Sequence, residues 1–325
     1  MKAETSPIYR NDKKGKRKKN RLKIICLLCF NILLQGCEIS SINGIFSNKN
    51  SNAYNHLLTP KEIDHLAEVI ANNANLTEEE KAMISQFRQV LEVIPYINYE
   101  QVEQNLASLD IVEMDFEDDD YMQVEGYWLD STNTIAIENW DVLSHELFHL
   151  LSGGNNGMFF EEGITSLAMW ELQLQQRYPE HILITQMFCE MFGADFVLQS
   201  FMSQDNLLKE KVASVVDPEF ANIFFRELDL YHTKYMNCKT EQELEETRKS
   251  LSVIIQFIDV IYKCNTNIEL DSNSLLRDDL EEKELNQLHT MLNYRAQLLR
   301  LNSGKAVSQT EYFATEEQKE LILKR

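Results

Sequence analysis

The chain has 325 residues, 44% of them hydrophobic, with only 5 Pro and 10 Gly, which excludes a disordered or collagen-like protein and gives enough apolar mass for a sizeable core. Its net charge of −21 hides an asymmetry, because residues 1–36 hold 10 basic and 2 acidic residues and leave 21 basic against 50 acidic, or −29, for the rest. A body this acidic is repelled by nucleic acid and anionic lipid, so a DNA- or RNA-binding role is excluded.

The basic run Lys13-Lys14-Gly15-Lys16-Arg17-Lys18-Lys19 precedes an apolar stretch from Leu22 to Leu34, shorter than the about 20 residues of a comfortable bilayer span. A positive segment followed by a short apolar one is the pattern of a secretory signal peptide, here residues 1–36; the alternative is an uncleaved N-terminal anchor. The stretch ends in Leu34-Gln35-Gly36-Cys37, which resembles a bacterial lipobox. That resemblance implies lipidation of Cys37 and a membrane anchor at the cell envelope. On either alternative the body is exported, outside the cytoplasmic membrane. Residues 37–58, rich in Ser and Asn, read as a polar tether. Beyond Cys37 only Cys189, Cys238 and Cys264 remain, with no C-x-x-C pair, which fits neither a disulfide framework nor a cysteine metal site. A Cys238–Cys264 bridge and buried free thiols both stay open.

Folding is expected to start at Thr59-Pro60-Lys61-Glu62, where threonine caps, proline takes the first helical position and glutamate completes a capping box. Ile63, Leu66, Val69 and Ile70 form its apolar stripe. Thr77-Glu78-Glu79-Glu80 opens a second helix burying Met83, Ile84, Phe87, Val90 and Leu91. From Asp110 the period turns to alternation: Ile111, Met114 and Phe116 predict a strand, and Val124–Leu129 with Thr134–Glu138 predicts a hairpin about Asp130–Asn133. The acidic run Glu117–Asp120 lacks EF-hand spacing and reads as a solvated loop.

Next comes His145-Glu146-Leu147-Phe148-His149. Residues four apart on a helix lie about 40° apart around the axis, so both imidazoles can reach one ion, and Glu146 beside them can take a proton from the water that ion polarises. Trp140, Leu143, Leu147 and Leu150 supply the apolar face that turns this set away from the core. Gly153–Gly157 stops the helix. A hydrolytic zinc centre needs a third protein ligand and an open fourth position, and Phe159-Phe160-Glu161-Glu162-Gly163-Ile164-Thr165 offers a glutamate on the following helix.

With H-E-x-x-H on one helix and a Glu-Gly segment on the next, residues 134–172 resemble the gluzincin branch of the zincin metallopeptidases, and 178–236 do so more loosely. The metzincin continuation Gly-x-x-His after His149 is absent. The resemblance implies Zn2+ held by His145, His149 and Glu162, with Glu161 as the alternative ligand or a hydrogen-bond partner of the site. It implies Glu146 as general base, a peptide or protein substrate, and the Thr134–Glu138 strand as the sheet edge along the cleft. It also implies a Tyr or His that stabilises the oxyanion; Tyr231 and His232 stand first, then Tyr235 and Tyr178. Where many gluzincins carry an acid four residues after the third ligand, this chain has Ser166. Aminopeptidase activity is not implied. A non-catalytic zinc-binding or structural lipoprotein and an amide hydrolase acting on peptidoglycan are the competing readings.

The remaining sequence is helical in pattern. Ile182–Met202 is very apolar but interrupted by Glu190, Gly193 and Asp195, which predicts a buried helix pair rather than a membrane span; 218–236, 241–264 and 278–301 follow. The expected fold is α+β, mostly α and zincin-like, in one domain over 59–325: a small α/β lobe (59–152) and a helical lobe (153–325).

Overall fold

Both threonine caps work as their spacing requires. In a computed structural model that describes residues 58–91, 97–114, 125–171 and 178–304, helix α1 (Pro60–Asn72) starts with Thr59 Oγ1 accepting from the Glu62 amide at 3.3 Å while the Glu62 carboxylate accepts from the Thr59 amide at 2.6 Å. Thr77 and Glu80 repeat the arrangement at α2 (Glu78–Ile84). Each box satisfies two of the amides that a helix start leaves unpaired. The second predicted helix does not run unbroken: Ser85 donates its hydroxyl back to the Ala82 carbonyl, a 3-10 turn spans Ser85–Phe87, and α3 (Arg88–Leu91) resumes. Helix α4 (Tyr99–Ser108) packs on α1, and the buried Asn73 amide ties its end by donating to the Leu106 and Leu109 carbonyls, both at 2.9 Å. The signal segment, Cys37, the tether to residue 57, Phe116 and the acidic run Glu117–Asp120 lie outside the described residues.

Three short strands follow, β1 (Asp110–Glu113), β2 (Gly126–Leu129) and β3 (Thr134–Ile137), in the order β1-β3-β2. β2 and β3 form the predicted antiparallel hairpin, Leu129 opposite Thr134 and Gly126 opposite Ile137, around a 3-10 turn closed by Asn133 in the left-handed region (φ 50°). The Thr134–Glu138 strand is not the sheet edge expected of it. β1 pairs with it in parallel, Asp110 opposite Thr134, so β3 is central and Ile135, Ala136 and Ile137 are all buried. A strand covered on both faces reads as an apolar run instead of alternating, and Ile-Ala-Ile is such a run. The outer strand on the site's side is β2.

A 3-10 turn at Trp140–Val142, capped by the Asn139 side chain, leads into α5 (Leu143–His149), which packs against β2 and β3. Then come α6 (Met158–Glu171), α7 (Pro179–Phe192), α8 (Ala194–Met202), α9 (Leu207–Val215), α10 (Pro218–Met236), α11 (Glu241–Arg248), α12 (Leu251–Thr266) and α13 (Glu282–Asn302). The predicted 241–264 helix is thus two, parted where Ser250 donates back to the Thr247 carbonyl. The apolar stretch is the predicted helix pair: α7 and α8 meet at 114° about Gly193 (φ 93°), and α7 is packed by α6, α8 and α13. Among the described residues no single helix is long and apolar enough to cross a membrane.

The chain is therefore α+β and mostly α, the sheet preceding residue 152 and helices following it. Buried apolar side chains from Leu58 to Leu301 form one cluster, so the two parts share a core. Cys189, Cys238 and Cys264 are free thiols, and the Cys238 sulfur lies 3.2 Å from the Lys234 carbonyl.

Candidate metal centre

Helix α5 buries Leu143, Leu147 and Phe148, which leaves His145 and His149, one turn apart, facing α6. Their Nε2 atoms are 3.1 Å apart; Glu162 places Oε2 3.2 Å from His145 Nε2 and Oε1 3.5 Å from His149 Nε2. For zinc bonds of about 2.05 Å, a tetrahedral edge is roughly 3.3 Å; the two imidazole nitrogens are at about that separation, and the Glu162 carboxylate reaches each of them through a different oxygen, so the three side chains are close enough together to hold one ion. No other group of three or more His, Cys, Asp or Glu side chains among the described residues is close enough to share an ion.

Opposite charges face one another across the cluster. Burial alone would lower the His149 pKa, but the Glu162 carboxylate, helped by Glu146 and Glu161, outweighs it and holds the imidazolium to about 9. Burial likewise pushes Glu162 upward, and the two imidazoles reverse this to keep its carboxyl well below the usual range. Any group that needs the neutral His149 imidazole competes with this proton.

Glu162, not Glu161, faces the histidines. Glu161 points about 100° away: it accepts from the Ser152 hydroxyl and, at 3.4 Å, from the Asn156 amide, so it fastens the loop that joins α5 to α6. Burial raises its pKa against those bonds. Four residues after Glu162, Ser166 is buried, with no hydrogen-bond partner for its hydroxyl among the described residues. It is Thr165 that meets the imidazole, its Oγ1 3.4 Å from His149 Nδ1. The helical rows i+3 and i+4 from Glu162 are neighbours, and the structure uses the first.

Two glycines set the spacing. A Cβ on Gly163 would lie 2.3 Å from Thr185 Oγ1 and 3.0 Å from the His181 carbonyl, so the Glu-Gly pair exists because α7 crosses α6 immediately behind the ligand. A Cβ on Gly126 would come within 2.7 Å of Val142 Cγ2 and 3.3 Å of Glu146 Cγ, so β2 lies against α5 beside the general-base candidate.

The set opens on a cavity of about 560 Å³. Tyr127 and Trp128 of β2, Met158, Met169 and Met236, Tyr178, Glu146, Asp229 and His232 line it, and no described lining residue is Lys or Arg. His232 is brought to the site as expected. Tyr231 is not: it is 2% exposed, its ring packed between Phe159, His181 and Tyr235, and burial pushes its phenol well above the usual range. Neighbours on a helix diverge by about 100°, so only one of the pair can face the cavity. Tyr235 is also buried away from it; Tyr178 is on its wall.

Three contributors carried no local signal. Thr165 looks like any helical threonine, Asp229 accepts from the Phe159 amide (3.4 Å) at the start of α6, and His181, fully buried on α7, lies 3.1 Å from His232. Compared with protein-family models, with curated proteins and with solved structures, the chain matches none.

Proposed function

We propose that this chain is a zinc-dependent peptidase of gluzincin-like design, exported and lipid-anchored to the cell envelope through Cys37. What chiefly supports this is the spacing of 3.1–3.5 Å among His145, His149 and Glu162, with Glu146 on the same cavity wall. Zinc held by those three side chains supplies Lewis acidity at a carbonyl oxygen and acidifies water. Glu146, 5% exposed between the two histidines in sequence, accepts the proton of the attacking water and passes it to the leaving nitrogen as the C–N bond breaks. His232 donates a hydrogen bond to the oxygen that gains charge. Strand β2 and the lining methionines, among them the exposed Met158, give an extended peptide a wall to lie along and apolar surface to cover.

Zinc content of the purified domain and cleavage of a broad peptide library test this, wild type against Glu146→Gln. The expected result is about one zinc per chain in both, with cleavage lost only in the variant. A protein free of zinc after metal-replete purification would refute the metal assignment. Zinc with no Glu146-dependent cleavage favours the second reading, a non-catalytic zinc-binding lipoprotein. The observation behind that reading is the neutral Thr165 hydroxyl at 3.4 Å where a carboxylate would hold His149 harder. Release of muropeptides from cell walls instead of peptide cleavage would move the substrate to peptidoglycan.

A further inference from the structure

His181 is fully buried, stacked on Phe159 at 4.0 Å and 15°, with its Nε2 3.1 Å from His232 Nδ1 and no hydrogen-bond partner for its own Nδ1 among the described residues. One proton lies between the two rings, and it has two possible owners. If His232 donated from Nδ1, His181 would carry an Nδ1–H with no acceptor among the described residues, an orphaned buried donor. If His181 donates from Nε2, only an acceptor lone pair is left bare in the core, which costs less than a bare donor, and the proton of His232 is left on Nε2, on the side of the ring away from His181. Burial lowers the pKa of both rings, which favours the neutral form with one N–H on each, and the 3.1 Å contact holds one of those two protons.

We infer that His181 is a positioning residue that donates to His232 Nδ1 and thereby fixes His232 as the tautomer with its proton on Nε2, available to an oxygen in the cavity. The consequence for catalysis rests on the peptidase reading; the tautomer itself does not. A histidine in this role leaves the pair neutral, so the donor to the developing oxyanion is present without adding a positive charge beside the metal ligands.

Long-range 1H–15N spectra of the 15N-histidine-labelled, metal-free protein decide the direction. The expected wild-type pattern is an unprotonated Nδ1 and a protonated Nε2 on His232, with a protonated Nε2 on His181. A protonated Nδ1 on His232 overturns the inference. In His181→Gln, whose amide NH2 can still donate, the pattern should persist; in His181→Leu it should give way to a mixture of tautomers, and persistence there would equally overturn the role. If the peptidase reading holds, His181→Leu lowers kcat about tenfold with zinc content and KM little changed, and His181→Gln restores most of it. Because the spectra need no turnover, an inactive protein refutes the peptidase reading while leaving the tautomer decided, and a wrong tautomer leaves Glu146-dependent cleavage standing. Should His181→Leu fail to fold, the wild-type spectrum still settles the direction.

Discussion

Replacing Gly163 by alanine tests whether the distance between two helices, rather than the ligands alone, holds the metal centre. An ordinary Cβ contact is 3.4–4 Å, whereas this one would be 2.3 Å from Thr185 Oγ1 and 3.0 Å from the His181 carbonyl oxygen. Thr185 is wholly buried and its hydroxyl has no partner among the described residues, so it can turn aside without losing a hydrogen bond. The carbonyl belongs to the backbone, and only a shift of α7 from α6 by a few tenths of an ångström relieves it. Overpacking of this kind costs about 1–3 kcal/mol. Alanine regains up to about 1 kcal/mol over glycine inside a helix, so the net loss in stability should be about 1 kcal/mol. The displaced residue adjoins Glu162, and zinc affinity should fall about tenfold, about 1.4 kcal/mol. Urea unfolding of the metal-free protein and competition with a chromogenic chelator read the two effects. Thr185→Ala removes the nearer obstacle, so the double variant should recover part of both losses. A Gly163→Ala protein more stable than wild type, with zinc affinity unchanged, would refute the packing argument.

Gly126→Ala presses on Val142 and Glu146 from the β2 side; zinc content should be kept while kcat falls at least about tenfold, since none of the three candidate ligands is among the atoms the new Cβ meets. Thr165→Val keeps the shape but removes the hydroxyl at His149 Nδ1, and titration should show zinc affinity down about tenfold, the lower end for such a partner because the contact is a long one. His149 has its pKa raised from 6.5 to about 9 in the metal-free fold, so its contribution is complete below pH 6.5 and lost as pH rises through 9. Urea melts of the metal-free protein should therefore lose up to about 3 kcal/mol across that window. Zinc affinity should climb with pH over the same range as the competing proton leaves. Arg248→Met strips the partner from the fully buried Glu180 carboxylate and should cost about 3–5 kcal/mol in unfolding free energy, most of it recovered by adding Glu180→Gln.

Local chemistry was legible and long-range pairing was not. Thr59 with Glu62, Thr77 with Glu80, the Asp130–Asn133 turn and the His145–His149 spacing each depend on residues within one turn, and each appears in the structure as the sequence implies. Glu162 was separable from Glu161 only by resemblance until α6 had a direction to face. The misplacement of Thr134–Ile137 as an edge came from reading the hairpin without β1, whose parallel partner is more than twenty residues away. Tyr231 and His232 could not be told apart as neighbours on one amphipathic helix; the aromatic cluster of Phe159, His181 and Tyr235 claims the first. Ser85 and Ser250 broke helices that hydrophobic periodicity runs straight through, because a back-bonding hydroxyl has no period.

The three candidate ligands span only eighteen positions of chain, yet the helix that carries Glu162 begins on a carboxylate some seventy residues further on. Asp229 accepts from the first turn of α6 and sits three residues before His232, so one face of α10 both anchors the helix that carries Glu162 and walls the cavity. Pressure on that wall is transmitted to the anchor. Under the zinc reading, the ion and an occupant of the cavity are linked ligands: an inhibitor that reaches His232 and changes zinc affinity must have its own affinity changed by zinc by the same factor.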